Sequence, residues 1–176
     1  MKLVIFVDVQ NDFIDGSLGV DKHHVITNKI VEYAKECNKN GVAMYATQDT
    51  HNDNTYLSTL EGKKLPVKHC LRFGPGWQLF SELEDLVPTV FEKPTFMSYD
   101  LANAVKKISE QINVDEIELC GFCTSICVIS NALALRGILP NTKISIIENL
   151  CGDINPESHK AALTVAQNCQ IDIVQV

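Results

Sequence analysis

Four places in this sequence put a reactive side chain directly after a short apolar run. Asp8 follows residues 3–7, Asp49 and His51 follow residues 42–47, and Lys93 follows residues 89–91. The stretch Gly121-Phe122-Cys123-Thr124-Ser125-Ile126-Cys127-Val128 follows residues 116–119. Together they offer a carboxylate, a pair of metal donors, an ammonium and a thiol. A thiol in the first turn of a helix that leaves a buried strand sits where backbone N–H groups point outward and the helix dipole is positive. That position favours the thiolate, the nucleophilic form of cysteine. The commoner fate of a cysteine in an apolar helix is that of a small buried hydrophobe, and Asp8 or Lys93 taken singly could cap a turn or sit in solvent. Their coincidence at strand ends argues for chemistry. A cysteine nucleophile needs a proton acceptor, and no histidine follows a strand near Cys127. A carboxylate serves if a cation offsets its charge in a partly desolvated site, and Asp8, Lys93 and Cys127 form such a set. The N–H groups of Cys123 and Cys127 are placed to receive an oxyanion.

The elements that must position these groups read as alternating strands and helices. Residues 3–7, 42–47, 89–91, 116–119, 143–147 and 171–174 are apolar runs of strand length. Helical spacing of apolar residues covers about 25–38, 99–112 and 124–135, and a further helix starts at Pro156. Near-continuous apolar strands alternating with helices predict an α/β fold: a doubly wound, Rossmann-like, six-stranded and mainly parallel sheet in a three-layer α/β/α single domain spanning 1–176. Ligands of such sheets bind at the carboxyl ends of the strands. Residues 48–86 carry little periodicity and read as one long loop, a length that in a compact domain usually serves function.

With 176 residues, 45% of them hydrophobic, the chain can bury one core, and no linker divides it. A net charge of −7 argues against nucleic acid or an anionic membrane surface as partner. The apolar run at 3–7 is too short for a secretory segment and ends in Asp8, and no later run could span a bilayer, so a cytoplasmic location is expected. Seven cysteines without a scaffold spacing are expected to be reduced thiols; the formal Cys120-x-x-Cys123 lacks a second pair for zinc and does not open a helix as redox pairs do.

Val7-Asp8-Val9-Gln10-Asn11-Asp12-Phe13, Asp49-x-His51, Leu65-Pro66-x-x-His69, Lys93-Pro94 and Gly121-x-x-Thr124-x-x-Cys127-Val128 occur in order along nearly the whole chain. In these blocks the chain resembles the isochorismatase-like cysteine hydrolases, and among them the nicotinamidase/pyrazinamidase branch. The resemblance implies that Asp8 is general base and acid, that Lys93 orients Asp8 and stabilises the thiolate, and that Cys127 is the nucleophile. It implies a cis peptide between Phe122 and Cys123 that aims the Cys123 and Cys127 N–H groups at an oxyanion. Phe13 resembles the family's aromatic wall against a planar substrate, with Trp77 as a second wall.

The resemblance also implies a divalent metal ion, zinc, manganese or iron, on Asp49, His51 and His69. The histidine that many relatives place shortly after Asp-x-His is absent, since the segment reads Asn52-Asp53-Asn54-Thr55-Tyr56-Leu57. Some relatives use a glutamate before the final histidine, which makes Glu61 the candidate fourth ligand, with Asp53 behind it. His23, His24 and His159 match nothing and read as surface residues. Position 125, often acidic in relatives, is Ser.

The expected activity is hydrolysis of a small planar carboxamide, nicotinamide to nicotinate and ammonia, through a thioester. Partners are the amide substrate and further copies of the chain, because the resemblance suggests a homo-oligomer. The alternatives are a related hydrolase of another amide, carbamoyl or ureido compound, and a non-catalytic metal-binding relative. Relatives acting on vinyl ethers typically lack the cysteine, and no G-x-G-x-x-G follows the first strand to suggest a dinucleotide site.

Overall fold

A computed structural model describes residues 1–176. Its centre is a six-stranded parallel sheet: β1 (Lys2–Val7), β2 (Ala43–Asp49), β3 (Val90–Lys93), β4 (Glu116–Phe122), β5 (Lys143–Gly152) and β6 (Asp172–Val174), in the order β3-β2-β1-β4-β5-β6. Leu3 through Val7 are fully buried. A central parallel strand is covered on both faces, which is why it reads as an unbroken apolar run rather than an alternating one.

The helices are α1 (Asn11–Ile14), α2 (Val25–Lys39), α3 (Leu60–Lys64), α4 (Ser81–Glu84), α5 (Tyr99–Ser109), α6 (Ile129–Ile138) and α7 (Pro156–Asn168). Packing of α2 with α4, and of α6 with both α5 and α7, together with right-handed crossovers, puts two layers of helix around the sheet. Ser98 caps α5 by accepting from the Leu101 N–H, and Asn155 caps α7 ahead of Pro156. No helix is long and apolar enough to cross a membrane. All seven cysteines are free thiols.

The strand order reverses between β1 and β4, where the chain leaves β1 toward one edge and later returns to pair on its other side. The backbones come together closely there. Gly121 pairs with Val7 at φ +123°, and a Cβ on it would stand 2.1 Å from the Val7 carbonyl oxygen. Only glycine fits that approach.

Two expectations change. The stretch 48–86 is not a structureless loop: β2 runs on to Asp49, a 3₁₀ turn spans Tyr56–Ser58, and α3 and α4 follow. These pieces are too short to produce a readable hydrophobic period. The segment expected to open an α-helix at 124 instead forms one π-helical turn, Thr124–Val128, whose Val128 N–H bonds the Cys123 carbonyl, before α6 begins at Ile129.

Candidate active site

Asp8 is the first residue after β1 and is fully buried, with φ at 50° in the left-handed region. Its N–H donates to the Thr47 carbonyl and hydroxyl oxygens of β2, at 3.2 Å each, and its Oδ1 accepts from the Thr47 hydroxyl at 2.7 Å. Lys93, the last residue of β3 and 1% exposed, reaches across β2 into the same space. Its Nζ lies 2.7 Å from Asp8 Oδ2 and 3.6 Å from Asp49 Oδ1. It donates to the Thr95 carbonyl at 3.0 Å and to Cys127 Sγ at 3.4 Å. Lys93 Nζ is the one donor facing Asp8 Oδ2, and a carboxylate oxygen has lone pairs for more than one.

Burial raises the Asp8 carboxyl above its ordinary value against the opposing charge of Lys93, and Asp49 adds to the rise. Burial alone would lower Lys93, but Asp8, Cys127 and Asp49 outweigh it and hold the ammonium charged. Burial pushes the Cys127 thiol well up, and Asp8 pushes it further against the pull of Lys93. The helix-start position, which by itself favours the thiolate, is outweighed here. The dipole of one short turn does not offset the loss of water around a side chain in a residue 3% exposed, and the proton rests on sulfur.

The π-helical turn holds its shape through groups the sequence alone did not flag. Ser125 N–H donates to Asp153 Oδ2 at 2.6 Å, so Asp153 supplies a carboxylate at the turn where position 125 has none. The Thr124 hydroxyl donates to the Gly152 carbonyl at 3.1 Å and pairs with His159 Nδ1 at 2.8 Å. His159, expected to be a free surface residue, thus braces the turn, and His24 pairs with Asp15 at 2.9 Å. Asn131 donates to the Cys127 and Phe96 carbonyls at 2.8 and 3.1 Å and accepts from the Ser98 N–H. The available signal was an amide inside an otherwise apolar helix, which must find partners when buried. The Phe122–Cys123 peptide is cis, and the Cys123 N–H donates to no acceptor within the protein.

Asp49, His51, Glu61 and His69 converge beside this set, one ligand atom from each lying within 4.8 Å of the others. His51 Nε2 is 2.9 Å from Asp49 Oδ2 and 3.7 Å from Glu61 Oε1. His69 Nε2 is 3.4 Å from both carboxylates. Donors 2.0–2.2 Å from one ion stand about 3.0 Å apart in octahedral and about 3.4 Å apart in tetrahedral geometry, so the separations and the Asp/Glu/His chemistry both fit a divalent ion, and six-coordination would leave two positions for other ligands. His69 Nδ1–H donates to the Val67 carbonyl at 2.9 Å, which leaves Nε2 free to be a ligand. Burial would lower the His69 imidazole, but hydrogen bonds to Asp49 and Glu61 raise it to about 10. Asp53 is exposed and pairs with Lys68, away from this cluster.

Glu61 arrives through α3. Thr59 caps this helix by accepting from the Gly62 N–H at 3.0 Å. A Cβ on Gly62 would meet the Tyr56 carbonyl oxygen at 2.1 Å, so the glycine lets α3 fold back onto the turn that carries Tyr56. Tyr56, fully buried, packs edge-on against both His51 and His69 and donates to the Leu65 carbonyl at 2.8 Å. The Asp12 carboxylate accepts from the Cys70 N–H at 2.7 Å and pins the chain beside His69.

A cavity of about 540 Å³ opens over both groups. Asp49, His69, Cys123 and Cys127 form its floor, and Phe13 stands in its wall. Trp77 does not line it: the indole N–H donates to the Thr50 hydroxyl at 2.8 Å, and Phe96 and Ile154 take up apolar wall instead.

The family model of the isochorismatase domain matches residues 2–176. The nicotinamidase/pyrazinamidase of Mycobacterium tuberculosis is 25% identical, with 99% of this chain and 98% of that protein covered. The nicotinamidase of Saccharomyces cerevisiae is 28% identical over 76% of this chain and 81% of its own length. Among solved structures, the pyrazinamidase of Pyrococcus horikoshii in complex with zinc superposes with a TM-score of 0.82 at 26% identity, covering 99% of both chains.

Proposed function

Because the chain belongs to the isochorismatase family, we propose that it is a cysteine amidohydrolase that converts a small planar carboxamide, nicotinamide or pyrazinamide, to the acid and ammonia. The observation that carries the reading is the buried cluster of Asp8, Lys93 and Cys127, with Nζ 2.7 Å from the carboxylate and 3.4 Å from sulfur. The names of the relatives in Mycobacterium tuberculosis and Saccharomyces cerevisiae support the substrate class.

In this reading the amide packs against Phe13 with its carbonyl carbon at Cys127. Asp8 accepts the thiol proton, and sulfur attacks the carbonyl carbon. Lys93 keeps its charge throughout, so the negative charge moving from Asp8 to sulfur stays opposite a fixed cation. The oxyanion is received by the N–H groups of Cys123 and Cys127. Asp8 returns the proton to the leaving nitrogen, the C–N bond breaks, and ammonia departs from a thioester on Cys127. A water that gives its proton to Asp8 then attacks the thioester carbon, and the acid leaves as the thiol is restored. Asp49, His51, Glu61 and His69 would hold the divalent ion, which when bound supplies a position for a ring nitrogen and so orients the amide.

The test is ammonia release from nicotinamide, pyrazinamide and a panel of small amides with zinc, manganese or iron supplied. Turnover by the parent protein and none by Cys127→Ala is the expected result. Absence of turnover on every amide with every metal overturns the proposal.

A further inference from the structure

The cavity is larger than the amide proposed for it. Nicotinamide has nine non-hydrogen atoms, and granting each the roughly 30 Å³ of a liquid water molecule fills at most about 270 Å³. An ion with two waters takes about 90 Å³ more on the same allowance. The cavity holds about 540 Å³. The surplus lies toward solvent, because the reacting groups are on the buried floor while Leu60, Phe96 and Ile154 line the same cavity at 72%, 43% and 58% exposure. These three come from α3, the loop after β3 and the loop after β5, so separate parts of the chain converge to leave apolar surface at one mouth. Apolar side chains at a pocket mouth are surface that a ligand can cover, and a bare pyridine ring on the floor would leave them facing water.

Resting on the amidase reading, we propose that the substrate is a ring carboxamide bearing a further apolar group about the size of a second ring, which fills the outer third of the cavity against Leu60, Phe96 and Ile154. The amide end reacts as described above, water included, and the apolar end covers the mouth of the cavity. An apolar extension matched to such a pocket is worth about tenfold or more in kcat/KM.

The experiment compares kcat/KM of the metal-loaded full chain for nicotinamide and for nicotinamides carrying a phenyl group at ring position 4, 5 or 6. Titration of the same amides into Cys127→Ala follows binding without turnover. At least one phenyl compound is expected to exceed nicotinamide by about tenfold, and to bind more tightly to Cys127→Ala. Leu60→Asp and Ile154→Asp, both at exposed positions, are expected to reduce that preference severalfold. If nicotinamide is hydrolysed and no phenyl compound surpasses it in either measurement, the inference is overturned and the amidase reading stands. If in addition Leu60→Asp sediments as a smaller species than the parent, the rim is an interface between copies of the chain. If no amide is hydrolysed, the amidase reading fails and this inference with it.

Discussion

The side-chain amide of Gln10 holds both backbone polar groups of Asp49: its Oε1 accepts from the Asp49 N–H at 2.8 Å, and its Nε2 donates to the Asp49 carbonyl at 2.9 Å. Gln10 is fully buried, and its Nε2 also donates to the Trp77 carbonyl at 2.8 Å. The glutamine thus behaves as an extra peptide unit at the end of β2. It explains why a glutamine stands two residues after Asp8: the segment that presents the carboxylate also fixes Asp49, a candidate metal donor.

Gln10→Leu leaves the Asp49 N–H and carbonyl without these partners, at about 1–3 kcal/mol per buried group. Metal affinity is expected to fall about 10–100-fold, as when the supports of a ligand are removed. Competition with a coloured chelator measures the affinity and denaturant unfolding the stability. Unchanged metal affinity would show that β2 holds Asp49 without help.

The proton on Cys127 has a measurable consequence. Alkylation of Cys127 by iodoacetamide in the free protein is expected to stay slow at neutral pH and to accelerate only above the ordinary thiol value of 9.0, because burial and Asp8 push the thiol up. The kcat/KM profile is expected to lose activity on its acid side above the ordinary carboxyl value of 3.8, because burial raises Asp8. Asp8→Asn should cost about 10²–10⁴ in kcat and abolish that limb. Rapid alkylation at pH 6 would instead mean a resting ion pair of thiolate and ammonium.

His69 is protonated in the metal-free protein up to about pH 10, since Asp49 and Glu61 favour its charged form. An ion binds only the neutral ring, so near pH 8 each ion bound should release close to one proton from His69. Calorimetry of metal binding in buffers of different ionisation enthalpy reads that number. The sign for stability follows from a value raised from 6.5 to about 10. The contribution is fully present below pH 6.5 and is lost as pH rises toward 10, so the metal-free protein should lose stability over that window while the metal-loaded protein does not. Glu61→Gln removes one partner of the imidazole and should lower both its pKa and the metal affinity.

Gly121→Ala places a methyl group 2.1 Å from the Val7 carbonyl oxygen at a backbone angle of +123°. Either the β1–β4 pair separates or the backbone twists, and a loss of at least about 2 kcal/mol is expected. Because Asp8 follows Val7 directly, kcat should fall with stability. A variant as stable as the parent would show that β4 can shift at this point without cost.

Much of this was legible along the chain. Buried parallel strands are continuous apolar runs, so the six strands and the residues at their ends could be read from residue types. The blocks around Asp8 and Cys127 carried the family. The intervening stretch from 48 to 86 was opaque, because a 3₁₀ turn and two helices of five and four residues are held by Thr59, Gly62 and Tyr56 rather than by any period. Trp77 was misread as a wall because an aromatic residue in a loop carries no sign of which way its ring faces.

The sequence by itself determined which groups are present: a carboxylate, an ammonium and a thiol after apolar runs, and four candidate metal donors. Tertiary structure decided what state those groups are in. The order β3-β2-β1-β4-β5-β6 brings Lys93 from one side of the crevice and Cys127 from the other to Asp8. Burial at that junction then keeps the proton on sulfur, while Asp8, Cys127 and Asp49 keep the charge on Lys93 against the same burial. Local sequence cannot report this, because a protonation state depends on water excluded and charges brought near by residues distant along the chain.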